Sequence, residues 1–332
     1  MAKRLLRAAV RVFGTVFLAP GFAASQAAST SSGQAYPNKP LRLIVPTAAG
    51  GGPDINARLI AGELSKQMGQ QVVVDNRAGA SGVVGFETLA RAAPDGYTMA
   101  RLTSGFTTNP SLFVKLPYDS ARDFQPVIFE SSGTFLLTVT PALPIHSVKE
   151  LIEHARANPG KLSYGSVGVG GPHTLAVELL KSMTATSMTQ VAYKGAQPAI
   201  TDAIGGQIHV VCDLMVSILP HVRSARLRGL GVTSLKRSLA APELPTIAEA
   251  GVPGYEMTTT GGYAVPAGVP RDIVLRLNAG INKALQSPAI AEKFAASGAT
   301  IVGGTPEHYA ETIRSDTAKW AKVIRAAGIK PQ

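Results

Sequence analysis

Tyr164-Gly165-Ser166-Val167-Gly168-Val169-Gly170-Gly171-Pro172-His173-Thr174 reads as the end of a strand, an open glycine loop and the start of a helix. Glycine lets backbone N–H groups come close to a ligand, and the unpaired N–H groups of a helix N-terminus add partial positive charge, so a loop of this kind holds anions. A second stretch of the same grammar stands much earlier, where Leu43-Ile44-Val45-Pro46 runs into Thr47-Ala48-Ala49-Gly50-Gly51-Gly52-Pro53-Asp54. Two such loops far apart in the chain imply two lobes that face one ligand.

Outward from the early loop, Leu41–Val45 is an apolar strand and Pro53–Met68 a helix, with Ile55, Leu59, Ile60, Leu64 and Met68 on its apolar face and Gly69 as its stop. Val72–Val74 is a buried strand, Gly79–Gly82 opens a helix to about Ala93, and Pro94-Asp95-Gly96 turns the chain into the strand Tyr97–Leu102. Phe124–Phe129 and Phe135–Thr140 read as two strands, after which the alternation restarts. Ser147 with Glu150 forms a capping box for a helix that stops at Asn158-Pro159-Gly160. Then come the strand Leu162–Ser166, the late loop, helix Pro172–Met183, strand Met188–Tyr193, helix Ala196–Ile204, strand Gln207–Asp213, helix Val216–Ser224 and strand Leu227–Thr233. Pro242–Thr246 begins a short helix, and Tyr255–Pro266 is an extended segment that returns the chain to the first lobe. The rest is helical (Arg271–Leu285, Pro288–Ala296, Pro306–Ala326), interrupted by a strand at Thr300–Val302. Strands alternating with helices over short connections predict parallel pairing, right-handed crossovers and doubly wound α/β sheets. In such sheets ligands lie at the carboxyl ends of strands, and Thr103–Asn109 occupies one of those ends.

The chain has 332 residues, 45% of them hydrophobic, enough to bury a large core and to build two domains. Its first residues differ in kind. Lys3, Arg4, Arg7 and Arg11 precede the apolar run Val12–Ala19 and small residues through Ala28, the pattern of a secretory signal over residues 1–28. That run is too short for a membrane span of about 20 residues, and no later segment reaches the length, so an exported, soluble protein is expected. Order is expected from Tyr36 or Pro37. Residues 1–28 hold four basic and no acidic residues, so the formal charge of +11 falls to +7 without them. That excess reads either as attraction for anionic partners or as solvated surface charge; without a Lys/Arg run or basic–aromatic interleaving, nucleic acid is disfavoured. Cys212 is the sole cysteine, which excludes an intramolecular disulfide and a lipid anchor at the end of the signal. Between Val211 and Asp213, and near Leu214, it reads as a small buried residue.

Glycine loops between strand and helix also invite a nucleotide. Gly168-x-Gly170 is followed by His173 where a third glycine belongs, and the next strand ends in Tyr193-Lys194 with no acidic residue for a ribose, so the dinucleotide fingerprint fails. No Gly-Lys-Ser/Thr follows any glycine loop, and Gly79-Ala80-Ser81-Gly82-Val83 lacks the final glycine of a hydrolase elbow. The six histidines make no metal-binding pair, so neither metal nor cofactor is expected. Ser166 as nucleophile with His173 as base stands against a helix-cap or ligand-contact reading of both. His173 either meets ligand or shapes the loop. Asp54 complements a helix dipole, or fixes the early loop by accepting backbone N–H bonds. Asp213 ends a buried strand, where it orients water, meets a ligand cation or caps the next helix.

Val45-Pro-Thr-Ala-Ala-Gly-Gly-Gly-Pro-Asp54, Asp75-Asn-Arg-Ala-Gly79, Asn109-Pro-Ser-Leu112, Lys115-Leu-Pro-Tyr-Asp119, Tyr193-Lys-Gly195, Gly205-Gly-Gln207 and Pro245-Thr-Ile-Ala-Glu-Ala-Gly251 together resemble the Bug family, the extracytoplasmic solute receptors of tripartite tricarboxylate transporters. The resemblance covers essentially the whole chain beyond the signal. It implies a periplasmic protein of the type II periplasmic-binding-protein fold, with lobe 1 at 36–138 plus 259–332, lobe 2 at 139–258, and a small organic carboxylate in the cleft. Carried onto matching positions, it points to Ala49, Gly50 and Gly51, with Asp54 behind them, and to Ser166, Gly168, Gly170 and His173. It adds Asp213 at the strand end and Ser104, Thr107 and Asn109 toward the distal part of the ligand. Three departures are visible: Thr47 stands where an aromatic is common, Gly105-Phe106 varies in the ligand-selecting segment, and Thr260-Gly261 replaces a frequent Trp. The implied function is non-enzymatic capture of a carboxylate by a monomer and its delivery to membrane transporter subunits. A sensor subunit that presents ligand to a membrane kinase is the main alternative, and a Ser166/His173 hydrolase a remote one.

Overall fold

The computed structural model describes residues 36–331 except 168, 169, 194 and 297, so the expected signal, Gly168 and Lys194 lie outside the described residues. In the first lobe β1 (Leu41–Val45) leads through α1 (Gly52–Met68) to β2 (Val72–Asn76), then α2 (Val83–Ala90), β3 (Thr98–Leu102) and α3 (Gly105–Leu112). β1 lies between β2 and β3, parallel to both. Alternation along β1 sorts its side chains: Leu41, Leu43 and Val45 pack with Ile60 and Leu64 of α1, while Ile44 faces Phe86, Leu102 and Phe106 on the other side. A sheet apolar on both faces must be covered on both, and this one is.

β4 (Phe124–Val139) is a single 16-residue strand where the sequence reads as two. Ser131-Ser132-Gly133 resembles a turn but continues the ladder, pairing with β9 (Thr258–Pro266) on one side and β10 (Ala299–Ile301) on the other. Gly133 is needed at the crossing, because a Cβ there would sit 2.5 Å from Thr259 Oγ1. From Phe135 onward β4 pairs antiparallel with β7 (Val210–Leu214) and β8 (Arg228–Val232).

The second lobe repeats the winding of the first: α4 (Val148–Ala157), β5 (Ser163–Val167), α5 (Pro172–Thr184), β6 (Thr189–Tyr193), α6 (Ala196–Ile204), β7, α7 (Met215–Arg223) and β8. β5 is parallel to β6 and β7. Phe135, Leu137 and Val139 of β4 pack with Leu151 and Leu175, whereas Leu136 packs with Ile200 and Ile218. Ser147 caps α4 by accepting the Glu150 N–H at 3.1 Å. The expected helix after Pro242 does not form. Thr246 and Glu249 exchange the two bonds of a capping box, but Gly251 at φ +112° and Pro253 end the segment after one turn.

β9 carries the chain back between β3 and β4 as expected, followed by α8 (Arg271–Leu285), α9 (Pro288–Ala296), β10 and α10 (Pro306–Ala326). α10 serves both lobes. Tyr309 near its start packs with Phe129 in the first, and Trp320, Val323 and Ile324 near its end pack with the second. The architecture is the type II periplasmic-binding-protein fold, two doubly wound α/β lobes with a cleft between them.

Candidate functional site

A cavity of about 640 Å³ lies between the lobes, inside the range of about 300–1,000 Å³ typical of small-molecule sites. The first lobe contributes Pro46, Thr47 and Ala48, the segment Ala78–Gly82, and Thr103, Ser104 and Thr108; the second contributes Gly170, Gly171, Pro172 and His173. Gly133 of β4 and Thr259 and Gly261 of β9 line it at the crossing of the lobes. Both glycine loops therefore meet one space.

Asp54 fixes the early loop, the second of its two sequence readings. Its buried carboxylate accepts the Gly50 N–H at 2.8 Å, Arg58 Nε at 3.0 Å and Asn76 Nδ2 at 2.9 Å, and Asn76 Nδ2 also donates to Thr47 O at 3.0 Å. The Arg58 hydrogen bond, helped by those of Gly50 and Asn76 against the opposing effect of burial, pulls the Asp54 carboxyl down to about 2. Asp54, Ala49, Gly50 and Gly51 do not line the cavity; Ala48 and Gly52 beside them do.

The sequence reads Gly79–Gly82 as the entry to one long helix, and the structure corrects this. Ala80, Ser81 and Gly82 have φ of +44°, +55° and +93°, so a tight turn precedes α2, which ends at Ala90. Left-handed alanine and serine each cost on the order of 1 kcal/mol, and such strain gathers at ligand sites. All three residues line the cleft. Asn109, fully buried, holds the turn by donating to Ser81 O at 3.2 Å, and Gly105 makes room for it, since a Cβ at 105 would lie 2.4 Å from that oxygen.

The strand-end segment Thr103–Asn109 runs into α3 (Gly105–Leu112), and helical periodicity decides what it presents. Ser104, Gly105, Thr108 and Leu112 line the cavity, while Thr107 and Asn109 turn away from it. The Ser104 hydroxyl accepts the Thr260 N–H at 3.2 Å, tying β3 to β9.

In the second lobe Gly171 precedes α5 with Pro172 at its first position, which puts His173 in the first turn at the cavity wall. His173 Nε2 lies 3.4 Å from Asp213 Oδ1, and its ring stands edge-on to Phe135 with centroids 5.3 Å apart. Its Nδ1 is buried without a partner; it accepts in the neutral tautomer whose Nε2–H faces Asp213, and donates in the other tautomer and in the protonated ring. Asp213 does not line the cavity; buried, it accepts the Leu214 N–H at 2.6 Å and supports His173 from behind. Ser166 turns to β6, donating to Val191 O at 3.3 Å and accepting from Gln190 Nε2 at 2.8 Å. The serine and histidine of the hydrolase reading thus have different partners.

Arg101 was not singled out from the sequence, though a lone charge inside the apolar strand Thr98-Met99-Ala100-Arg101-Leu102 is a signal that a buried partner exists. That partner is Glu130 of β4, which accepts Arg101 Nη2 at 2.5 Å. Burial, the largest single influence, lowers the Arg101 pKa, but the Glu130 charge and hydrogen bond together with Tyr263 and Tyr309 outweigh it and raise it.

The family model of the tripartite tricarboxylate transporter family receptor matches residues 56–329. The chain belongs to that family. BugT of Bordetella pertussis is 36% identical over 321 residues, covering 96% of this chain and 97% of its own. Rpa4515 of R. palustris, solved with adipate, is 38% identical with a TM-score of 0.77, covering 90% of this chain and all of its own. MatC of Rhodopseudomonas palustris, solved with bound malate, is 28% identical with a TM-score of 0.72, covering 87% of this chain and all of its own. The likeness to Bug proteins read from the sequence is therefore borne out, and the chain is a solute-binding receptor of this family.

Proposed function

We propose that the protein is a periplasmic receptor that captures a small organic carboxylate between its lobes and hands it to the membrane subunits of a tripartite transporter. One observation carries this reading: loops from opposite lobes line one cavity, with Thr47 at its wall in the first and His173 in the second. A ligand that touches both loops completes the site only when the lobes are together. The bound adipate and malate of the two relatives support a carboxylate as that ligand. The same reading takes residues 1–28 as the export signal and the protein as a monomer. It divides the lobes at 36–138 plus 259–332 and 139–258, with the end of α10 reaching across. It involves no catalysis: Ser166 is engaged by β6 and His173 by Asp213.

A thermal-shift screen of the protein without residues 1–28 tests it, using organic acids beside neutral sugars and amines. A ligand at 100 times its Kd stabilises the folded state by about 2.7 kcal/mol. Several degrees of shift from at least one acid, with none from sugars or amines, is expected. A hit confined to sugars or amines contradicts the reading.

A further inference from the structure

Among the described residues that line the cleft, Arg101 alone carries a permanent charge. It stands opposite Tyr263 in the β3–β9 ladder and is 5% exposed. Glu130 is held from three sides: besides Arg101 Nη2, it accepts the Tyr263 hydroxyl at 2.7 Å and the Ser131 hydroxyl at 3.1 Å. The guanidinium has five donors, its Nη2 is bonded to Glu130 and its Nε is buried without a partner, so the donors left for a ligand are those on the Nη groups. Gly261 makes the space for it: a Cβ at 261 would lie 2.4 Å from Nη2 and 3.0 Å from Cζ. Glu130 is fully buried while Arg101 lines the cavity, so the positive end of the pair faces the ligand space.

We propose that Arg101 is a second anchor of the cleft, taking the far carboxylate of a ligand whose near carboxylate sits between the glycine loops, so that the receptor selects dicarboxylates over monocarboxylates of equal length. The inference rests on the receptor reading above. A guanidinium fork matches a carboxylate better than it matches a single carbonyl, and its hydrogen bonds to charged groups are the strong ones. Removing them from a ligand corresponds to a loss of about 10- to 100-fold in affinity. Thr47 and His173 belong to the two loops and serve the near carboxylate, whereas Arg101 belongs to the strands behind them.

The test is calorimetric titration with paired acids of four to eight carbons, each dicarboxylate beside its monocarboxylate, such as adipate beside hexanoate. The wild-type protein is expected to prefer the diacid by about 10- to 100-fold at the best chain length. In Arg101→Met/Glu130→Gln, which leaves no buried charge unpaired, the ratio of diacid to monoacid affinity should fall to about one. Equal wild-type affinity for both members of every pair overturns the proposal with no variant needed, and leaves the receptor reading standing. A diacid preference that survives in the folded double variant also overturns it. Absence of binding by every acid overturns both readings together.

Discussion

The Gly50 N–H donates to the Asp54 carboxylate at 2.8 Å, which ties the apex of the early glycine loop to the helix that follows it. Because Arg58 and Asn76 converge on the same carboxylate, and Asn76 also reaches Thr47 O, one acidic side chain sets the shape of the loop that lines the cleft.

Asp54→Ala should therefore weaken both the fold and ligand affinity. Losing charge-assisted hydrogen bonds costs about 1–3 kcal/mol each way the loop is read out. The pH dependence has a definite sign. With its folded pKa near 2 against an ordinary 3.8, Asp54 contributes stability on the order of 2 kcal/mol, present in full above about pH 4 and lost as pH falls through 2. Urea midpoints of wild type and Asp54→Asn should differ at pH 7 and converge toward pH 2. A difference that stays constant across that window contradicts this role.

Gly170 of the late loop lies against Leu112 of α3 in the first lobe. Its φ is +64°, and a Cβ would lie 2.3 Å from Cδ2 of Leu112 on α3. Gly170→Ala should lower the melting temperature, with a cost of roughly 1–3 kcal/mol from left-handed strain and displacement of the leucine. Leu112→Ala in the same chain should relieve the collision but not the strain, so the two substitutions should cost less together than the sum of each alone. Additive costs in thermal melts would show that the contact is slack.

On the other face of the β4–β9 crossing, a hollow of about 820 Å³ is lined by Ser132 and Thr134, alternate to the residues that line the cleft, and by Asp316 of α10. Burial raises the Asp316 carboxyl above its ordinary range, with Glu256 adding to the shift and Lys319 opposing it. A carboxyl of raised pKa favours the fold below its unfolded pKa and loses that benefit as pH rises through the folded value. Asp316→Asn should accordingly raise the melting temperature at pH 7 and leave it unchanged near pH 3. Destabilisation at pH 7 would mean that the charge is used rather than tolerated.

Strand and helix order in both lobes was legible because each element carries its own period and its own punctuation, as with Pro53 and Gly69 around α1. What escaped depends on partners distant in sequence. Ser131-Ser132-Gly133 looks like a turn until β9 is laid beside it, about 130 residues later. Ala80 and Ser81 have side chains that ordinarily avoid positive φ, so nothing local announces the turn that Asn109 and Gly105 hold in place. The two loops of the site were visible as glycine runs. Which residues of the Ser104–Leu112 segment face the cleft was not, because an extended chain and a helix present different alternations, and only the helix selects Thr108 over Thr107.

The central claim, that one organic carboxylate is held in the cleft between the two glycine loops, is tested most directly by calorimetric titration of the protein without residues 1–28 against the acid giving the largest thermal shift. One saturable site per chain is predicted, with binding weakened at least about tenfold in His173→Ala and in Thr47→Val. Saturable binding that neither substitution changes, or no heat from any acid with a folded protein in the cell, would contradict it.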